Sequence, residues 1–136
     1  MFANSTGILV VDDMKTMRKI VSKSLRSMGF KKITEAEDGQ KAWVLLNDPP
    51  FPIELVISDW NMPNSSGLDF LKRVRADDRF KNLPFMLLTA ENEAEQVKEA
   101  AIAGVSNYMV KPFTPATLGE KLKAVYAKHN QAAVAA

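Results

Sequence analysis

Apolar residues occur along this chain in two alternating patterns, namely short continuous runs and longer stripes spaced by three or four residues. The runs are typical of strands buried on both faces, and the stripes are typical of helices with one buried face. The second run is short and polar, which favours a position at an edge of the sheet. The predicted strands are Ile8–Val11, Lys32–Ala36, Ile53–Ser58, Pro84–Leu88 and Asn107–Val110.

A helical stripe follows each predicted strand. The stripes consist of Met17, Ile20, Val21, Ser24, Leu25 and Met28; Ala42, Leu45 and Leu46; Leu68, Leu71 and Val74; the alanine-rich stretch Glu93–Ala103; and Leu118, Leu122 and Val125. Gly29 and Gly104 end two of these helices, and Thr114-Pro115 supplies a cap and a first residue for the last one. Five strand–helix alternations predict an α/β fold, in which a parallel sheet carries helices on both faces.

The composition predicts one soluble domain. A chain of 136 residues with 46% hydrophobic and 25% charged residues is long enough to bury a single core. We expect one domain over residues 1–136 with a core from about residue 7 to 128. Both ends should be flexible, and Gln131–Ala136 should be disordered.

Several function classes are excluded by residue counts. The chain contains no cysteine and one histidine, His129, which argues against disulfide scaffolds, thiol nucleophiles and histidine-based metal sites. A net charge of +2 is too weak to indicate nucleic acid as a partner. No apolar run could cross a bilayer and no signal-peptide pattern begins the chain, so we expect no membrane insertion and a cytoplasmic location.

Polar side chains stand where the predicted strands end. Asp12 and Asp13 follow the first strand, Asp59 the third, Thr89 the fourth and Lys111 the fifth. Taken singly, each has a simple explanation, because aspartate is common in turns and suits a helix N-terminus. In open α/β sheets, however, ligands bind beyond the carboxyl ends of the strands. Together these residues predict one site with three carboxylates, a hydroxyl and an ammonium group.

The charge of this site indicates its ligand. Two carboxylates about 5 Å apart repel by roughly 3 kcal/mol at an effective dielectric constant near 20. Either one carboxyl group is protonated or a cation binds, and an all-oxygen site suits a hard ion such as Mg²⁺. No glycine-rich phosphate loop follows the first strand. A carboxylate nucleophile fits the same parts: Asp59 would form an acyl phosphate, while Thr89 and Lys111 hold the other oxygens.

Four separated motifs carry a resemblance to a known family. They are Val10-Val11-Asp12-Asp13, Ser58-Asp59-Trp60-Asn61-Met62-Pro63 with Gly67, Leu88-Thr89-Ala90-Glu91, and Tyr108-Met109-Val110-Lys111-Pro112-Phe113. In this order they resemble the receiver domain of two-component response regulators. Over about residues 7–128 the chain is similar to the stand-alone chemotaxis members of that family. The resemblance implies a flavodoxin-like fold, with five parallel strands in the order 2-1-3-4-5 and five helices.

The resemblance also implies a role for each site residue. Asp59 would be the phosphoacceptor, and Thr89 and Lys111 would bind the phosphoryl group. Tyr108 would be the aromatic residue that moves inward when Thr89 moves, and the Lys111-Pro112 bond would be cis. The implied magnesium ligands are Asp13 and Asp59 directly, Asn61 through its backbone carbonyl, and Asp12 through water.

The implied partners are a sensor histidine kinase and an output protein, the flagellar motor switch. The output protein would bind the face formed by the fourth helix, fifth strand and fifth helix of a monomer. One departure puts the motor switch in question: Asn92-Glu93-Ala94-Glu95 stands where well-known chemotaxis members carry lysines.

A receiver in another phosphorelay is an alternative function. An Mg²⁺-dependent phosphatase is a further alternative, although it would need a second carboxylate where Asn61 stands, and DNA binding is opposed by the charge balance.

Overall fold

The computed structural model describes residues 2–62, 65–89 and 94–135, in which strands and helices alternate along the chain. The predictions that concern Pro63, Ala90, Glu91 and the Asn92-Glu93 start of the fourth helix lie outside these residues. The elements are β1 (Ile8–Val11), α1 (Lys15–Ser27), β2 (Ile33–Ala36), α2 (Gly39–Asn47), β3 (Leu55–Asp59), α3 (Gly67–Ala76), β4 (Phe85–Thr89), α4 (Ala94–Ala103), β5 (Asn107–Val110) and α5 (Pro115–Ala135).

The five strands form one parallel sheet in the order β2-β1-β3-β4-β5. This confirms the flavodoxin-like order and the edge position of the polar second strand. The registers bring the carboxyl ends of the central strands into line, because Val11 pairs with Ser58, Asp59 with Leu88 and Thr89 with Val110. Side chains just beyond these ends therefore meet at one edge of the sheet.

Alternating strand side chains build a core on each face of the sheet. One core contains Leu9, Val11, Val56, Phe85 and Leu87 with the buried sides of α2, α3 and α4. The other contains Ile8, Val10, Leu55, Ile57, Met86 and Leu88 with α1 and α5. The predicted stripe of Leu118, Leu122 and Val125 is fully buried in this second core. Helices on both faces fix the strands, and through them the positions of the residues at the strand ends.

A glycine and several side-chain caps stand at the helix termini, including the two predicted at Gly29 and Thr114. Gly29 follows α1 with φ +101°, a left-handed conformation that glycine adopts without steric cost. The Thr114 hydroxyl oxygen accepts a hydrogen bond from the Thr117 backbone N–H at 3.1 Å, which confirms the predicted cap of α5. The side chains of Asp38 and Ser66 cap α2 and α3 in the same way. These caps satisfy N–H groups that helix starts leave without partners.

Two side chains lie elsewhere than predicted. Ile20, which the α1 stripe placed in the core, is 45% exposed. The predicted stripe was too wide, because Val21 and Leu25 already fill the side of α1 that faces the sheet. Arg75, predicted to point outward from α3, is half-buried and donates to the backbone carbonyls of Gly104 at 2.8 Å and Phe80 at 3.2 Å.

Some element boundaries also differ. Helix α5 continues to Ala135 and so includes residues 131–135, where the sequence predicts no helix; alanine has the highest helix propensity, and it recurs there. Strands β3 and β4 continue one residue further than predicted, because Asp59 and Thr89 still pair with the neighbouring strand. Both side chains are therefore held by the sheet itself. Within the described ranges, no helix is both long enough and apolar enough to cross a membrane.

Candidate functional site

The structure brings the predicted acidic residues together at the carboxyl edge of the sheet. One carboxylate oxygen from each of Asp12, Asp13 and Asp59 lies within 4.8 Å of the other two. Asp12 and Asp13 directly follow β1, and Asp59 is the last residue of the neighbouring strand β3. The cluster is therefore a direct product of the strand order, because β1 and β3 are adjacent only in a sheet with this crossover.

Lys111 reaches into this cluster from the end of β5. Its Nζ lies 3.1 Å from Oδ1 of Asp59 and 3.3 Å from Oδ2 of Asp12. The Lys111 backbone N–H donates to the carbonyl oxygen of Thr89 at 2.7 Å, which anchors the start of the loop, and the Lys111-Pro112 bond is cis as expected. One ammonium group thus serves two carboxylates, and the described part of the site carries more negative than positive charge.

Burial divides the three carboxylates into two groups. Asp12 is 1% exposed and Asp59 is 6% exposed, whereas Asp13 is exposed. The two buried carboxylates share Lys111, and the third stands at the entrance. A ligand arriving from solvent would therefore meet Asp13 first and the pair next to Lys111 behind it.

The pKa of Asp59 reflects this environment. Burial raises the pKa of Asp59 above its ordinary value, and the negative charge of Asp12 raises it further. The hydrogen bond and charge of Lys111, together with the Trp60 backbone N–H, lower the pKa of Asp59 but do not outweigh these effects. The charged form of Asp59 is thus under-stabilised in this fold, and an added cation would favour it.

Asp12 combines the two roles that the sequence left open. Its Oδ1 accepts a hydrogen bond from the Met14 backbone N–H at 2.9 Å, at the start of α1, while its Oδ2 faces Lys111. Met14 stands at the N-cap position of α1 and provides no side-chain cap of its own. Asp12 therefore stabilises a helix start with one oxygen and belongs to the acidic cluster with the other.

Gly67 makes a contact that the sequence interpretation missed. Its backbone N–H donates to the carbonyl oxygen of Trp60 at 2.8 Å, and a Cβ atom at this position would lie 2.1 Å from the carbonyl oxygen of Asp59. Only glycine allows α3 to approach the end of β3 this closely. The sequence marked Gly67 as part of a motif, but spacing alone could not indicate that its missing side chain fixes the backbone of Asp59.

The remaining predicted residues surround the cluster. Asn61 is exposed two residues after Asp59, and Thr89 is buried at the end of β4. Tyr108 is half-buried on β5 beside Leu87, and Nζ of Lys121 lies 5.3 Å from the centre of its ring. Since Thr89 pairs with Val110, Tyr108 lies two residues back on the strand next to Thr89. The functional roles of these residues stay predictions.

Comparison with known proteins decides the family. The sequence profile of the response regulator receiver domain matches residues 8–123. The chain belongs to the response regulator receiver family. This receiver domain is 50% identical to chemotaxis protein CheY-3 of Vibrio cholerae over 119 residues, which cover 88% of this chain and 90% of that protein. It is 46% identical to the chemotaxis protein CheY of Pseudomonas aeruginosa over 123 residues, 90% of this chain and 98% of that protein.

A solved structure confirms the fold of the receiver. The chemotaxis protein CheY4 of Vibrio cholerae superposes with a TM-score of 0.82 at 34% sequence identity, covering 89% of this chain and 98% of that one. The resemblance predicted from four short motifs is thereby confirmed, and the receiver is of the CheY-like, chemotaxis type. Such response regulators are signalling proteins of two-component systems.

Proposed function

We propose that this receiver accepts a phosphoryl group on Asp59 from a sensor histidine kinase and thereby changes its affinity for an output protein in chemotaxis. The observation that carries the proposal is the position of Lys111, whose ammonium group lies between the buried carboxylates of Asp12 and Asp59. A lysine in this position can exchange its carboxylate contacts for a phosphoryl group attached to Asp59.

The same cluster fits a magnesium ion. Three carboxylates offer oxygens within 4.8 Å of one another, and oxygen is the donor that this hard cation prefers. Asp13 and Asp59 would hold Mg²⁺ directly, Asn61 through its backbone carbonyl, and Asp12 through water. When bound, Mg²⁺ would neutralise the acidic cluster and favour the approach of an anionic phosphoryl group.

The transfer itself needs few groups from the protein. A carboxylate oxygen of Asp59 attacks the phosphorus of a phosphohistidine, the P–N bond breaks, and the imidazole leaves with the bonding electrons. The Thr89 hydroxyl and the Lys111 ammonium group then bind oxygens of the new acyl phosphate. In this scheme the receiver catalyses only its own phosphorylation and dephosphorylation, as a signalling protein rather than an enzyme that turns over other substrates.

The output follows from the added charge. An aspartyl phosphate carries about −1.5 to −2 charges where the free carboxylate of Asp59 carries −1, so phosphorylation makes the site more negative. Movement of Thr89 and Tyr108 would bias the surface of α4, β5 and α5 between two states, and a partner that prefers one state detects the change. We propose the flagellar motor switch as that partner, and a monomeric, cytoplasmic receiver that binds neither nucleic acid nor membrane.

Labelling by acetyl phosphate tests the proposal. The parent chain with Mg²⁺ should gain the mass of one phosphoryl group, and Asp59→Asn should gain none because the amide is not a nucleophile. Asp38→Asn is a matched control, because Asp38 is also buried but caps α2, and asparagine caps a helix equally well. Retained labelling of Asp59→Asn would move the nucleophile elsewhere and contradict the proposal.

A receiver in a different phosphorelay would contain the same site and differ only in its partners. Capture of flagellar switch protein by the parent chain with beryllofluoride, a phosphoryl mimic, and not by Asp59→Asn would favour chemotaxis. An aspartyl phosphatase is disfavoured, because the residue two positions after Asp59 is the amide Asn61 and not a carboxylic acid.

A further inference from the structure

Arg18 links the acidic cluster to the edge of the sheet. Its NH1 nitrogen donates to the backbone carbonyl oxygen of Asp12 at 2.7 Å, and its Nε lies 3.3 Å from Oε1 of Glu35 on β2. The Arg18 side chain is 15% exposed, so this position is sheltered from solvent. Arg18 has no part in the phosphoryl transfer proposed above, and its contacts call for a different explanation.

Glu35 is itself held in place by several donors. Besides Arg18, its carboxylate is contacted by Nζ of Lys19 at 3.2 Å and by the hydroxyl of Ser22 at 3.2 Å, both at Oε2. Each oxygen of Glu35 therefore has a donor, and Ser22 is buried. In the parallel pairing of β1 and β2, Glu35 lies opposite Val10. This register fixes the position of the Glu35 carboxylate along β1, the strand that leads to Asp12.

The backbone of Asp12 is thus held on both sides. Its N–H donates to the carbonyl oxygen of Ala36 at 3.1 Å, and its carbonyl oxygen accepts from Arg18. Beyond that carbonyl the chain leaves the sheet and continues to Asp13, the exposed carboxylate of the cluster. The Arg18 hydrogen bond therefore fixes the peptide that joins the two acidic residues.

We infer that Arg18 and Glu35 are positioning residues, whose ion pair holds the backbone of the β1–α1 loop so that Asp12 and Asp13 stand ready to bind a divalent cation. The inference rests on the proposed function, in which that cation is Mg²⁺. Arginine suits this role because its planar guanidinium group donates in fixed, divergent directions, which the single ammonium group of lysine does not reproduce. Glu35 orients the guanidinium group and offsets its positive charge near the site.

Positioning and plain electrostatics predict opposite results for one substitution. Arg18→Gln removes a positive charge near the acidic cluster, so an electrostatic role alone predicts tighter Mg²⁺ binding. Loss of positioning predicts weaker binding, about tenfold, which is the smaller end of the range for residues that support metal ligands. Arg18→Lys keeps the charge and should weaken binding as well.

The test is a Mg²⁺ titration of each variant followed by Trp60 fluorescence. Trp60 is buried next to Asp59, and Trp43→Phe in every variant removes the other tryptophan, which packs on α3 away from the site. Lys19→Gln is the matched control, because Lys19 also contacts Glu35 but donates nothing to Asp12. We expect weaker binding for Arg18→Lys, Arg18→Gln and Glu35→Gln, and binding within twofold of the parent for Lys19→Gln.

A double variant tests whether the two residues act as one unit. Arg18→Lys combined with Glu35→Gln should bind Mg²⁺ no more weakly than the more affected single variant, because the second change removes an interaction already lost. Urea unfolding checks that each variant folds, and the charge-conserving Arg18→Lys decides the matter if Arg18→Gln does not fold. Parent-like Mg²⁺ affinity in both Arg18→Lys and Glu35→Gln, or tighter binding by Arg18→Gln, would overturn the inference.

The proposed function fails in a different way. If the Trp43→Phe parent binds no Mg²⁺ and takes no phosphoryl group from acetyl phosphate, the metal site itself is wrong. If the parent binds and is labelled but the Arg18 and Glu35 variants behave like it, only the positioning role is wrong.

Discussion

The two ends of the sheet differ in how their buried polar groups are paired. At the carboxyl end, Asp12 and Asp59 are buried side by side and share one lysine. At the amino end, polar side chains have neutral hydrogen-bond partners: the Phe85 backbone N–H donates to the Ser106 hydroxyl oxygen at 3.1 Å, and that oxygen lies 2.7 Å from Nε2 of His129. The first end keeps an unbalanced negative charge that a cation can relieve, whereas the hydrogen-bonding groups of the second have partners within the chain. This contrast indicates that one end serves function and the other stability.

Among the substitutions that test this contrast, Gly67→Ala should cause the largest change in stability. The new Cβ would collide with the Asp59 carbonyl oxygen, so α3 or the end of β3 must move, and we expect a loss of about 2–3 kcal/mol in unfolding free energy. Gly119→Ala is the control, because a Cβ there meets only Cε of Met28 at 3.9 Å and should stabilise α5 by up to about 1 kcal/mol. Urea unfolding measures both. Equal stabilities would mean that α3 does not constrain the acidic end.

A smaller change of opposite sign is expected from Asp59→Asn without Mg²⁺. Because the pKa of Asp59 is raised in the fold, its carboxylate costs stability once the pH exceeds that raised pKa, and the cost disappears below the ordinary value of 3.8. The variant should therefore be more stable than the parent at neutral pH, by about 1 kcal/mol, and equal to it at low pH. Thermal unfolding across pH checks this. A variant less stable than the parent at pH 7 would contradict the idea of an unbalanced acidic end.

Mg²⁺ should reverse that difference. An ion that binds only the folded parent stabilises it by about 2.7 kcal/mol at a concentration one hundred times its Kd. Asp59→Asn lacks one ligand, so the same Mg²⁺ concentration should raise its free energy of unfolding by less. If Mg²⁺ raises the free energy of unfolding of both proteins equally, Asp59 is not a ligand.

The smallest effect concerns the amino end and the pH dependence of stability. Burial, followed by the positive charges of Arg75 and Lys128, lowers the pKa of His129 below its ordinary value of 6.5. Below pH 6.5 the unfolded state therefore binds more protons at His129 than the folded state does. The free energy of unfolding keeps its full value above pH 6.5 and falls as the pH drops through the lowered pKa of His129. His129→Gln should show a weaker fall in urea-unfolding free energy over that range. An unchanged pH profile would show that His129 does not contribute.

Most of the fold and the members of the site follow from the sequence, because both depend on local patterns. The apolar runs give the strands, and the rule that ligands bind at the carboxyl ends of parallel strands is enough to predict that Asp12, Asp59 and Lys111 share one site. What the patterns could not give is contact between distant residues. The Arg18–Glu35 pair and the approach of Gly67 to Asp59 depend on crossover geometry, which no spacing in the sequence records.

The sequence patterns also predicted the burial of individual side chains poorly. Asp12 and Asp13 are neighbours in the sequence, yet one is buried and the other exposed, because the chain turns out of the sheet between them. Ile20 and Arg75 differ from expectation for a related reason. Helix periodicity gives the direction of a side chain but not the depth of the neighbours that cover it.

The central claim is that the acidic end of the sheet binds a hard cation and that Asp59 accepts a phosphoryl group there. A crystal structure of the chain with Mg²⁺ and beryllofluoride tests it most directly. We expect the ion among Asp12, Asp13 and Asp59, the beryllofluoride on an Asp59 oxygen, and Nζ of Lys111 turned toward a fluorine atom. An acidic cluster without the ion, together with an Asp59 side chain that carries no beryllofluoride, would contradict the account.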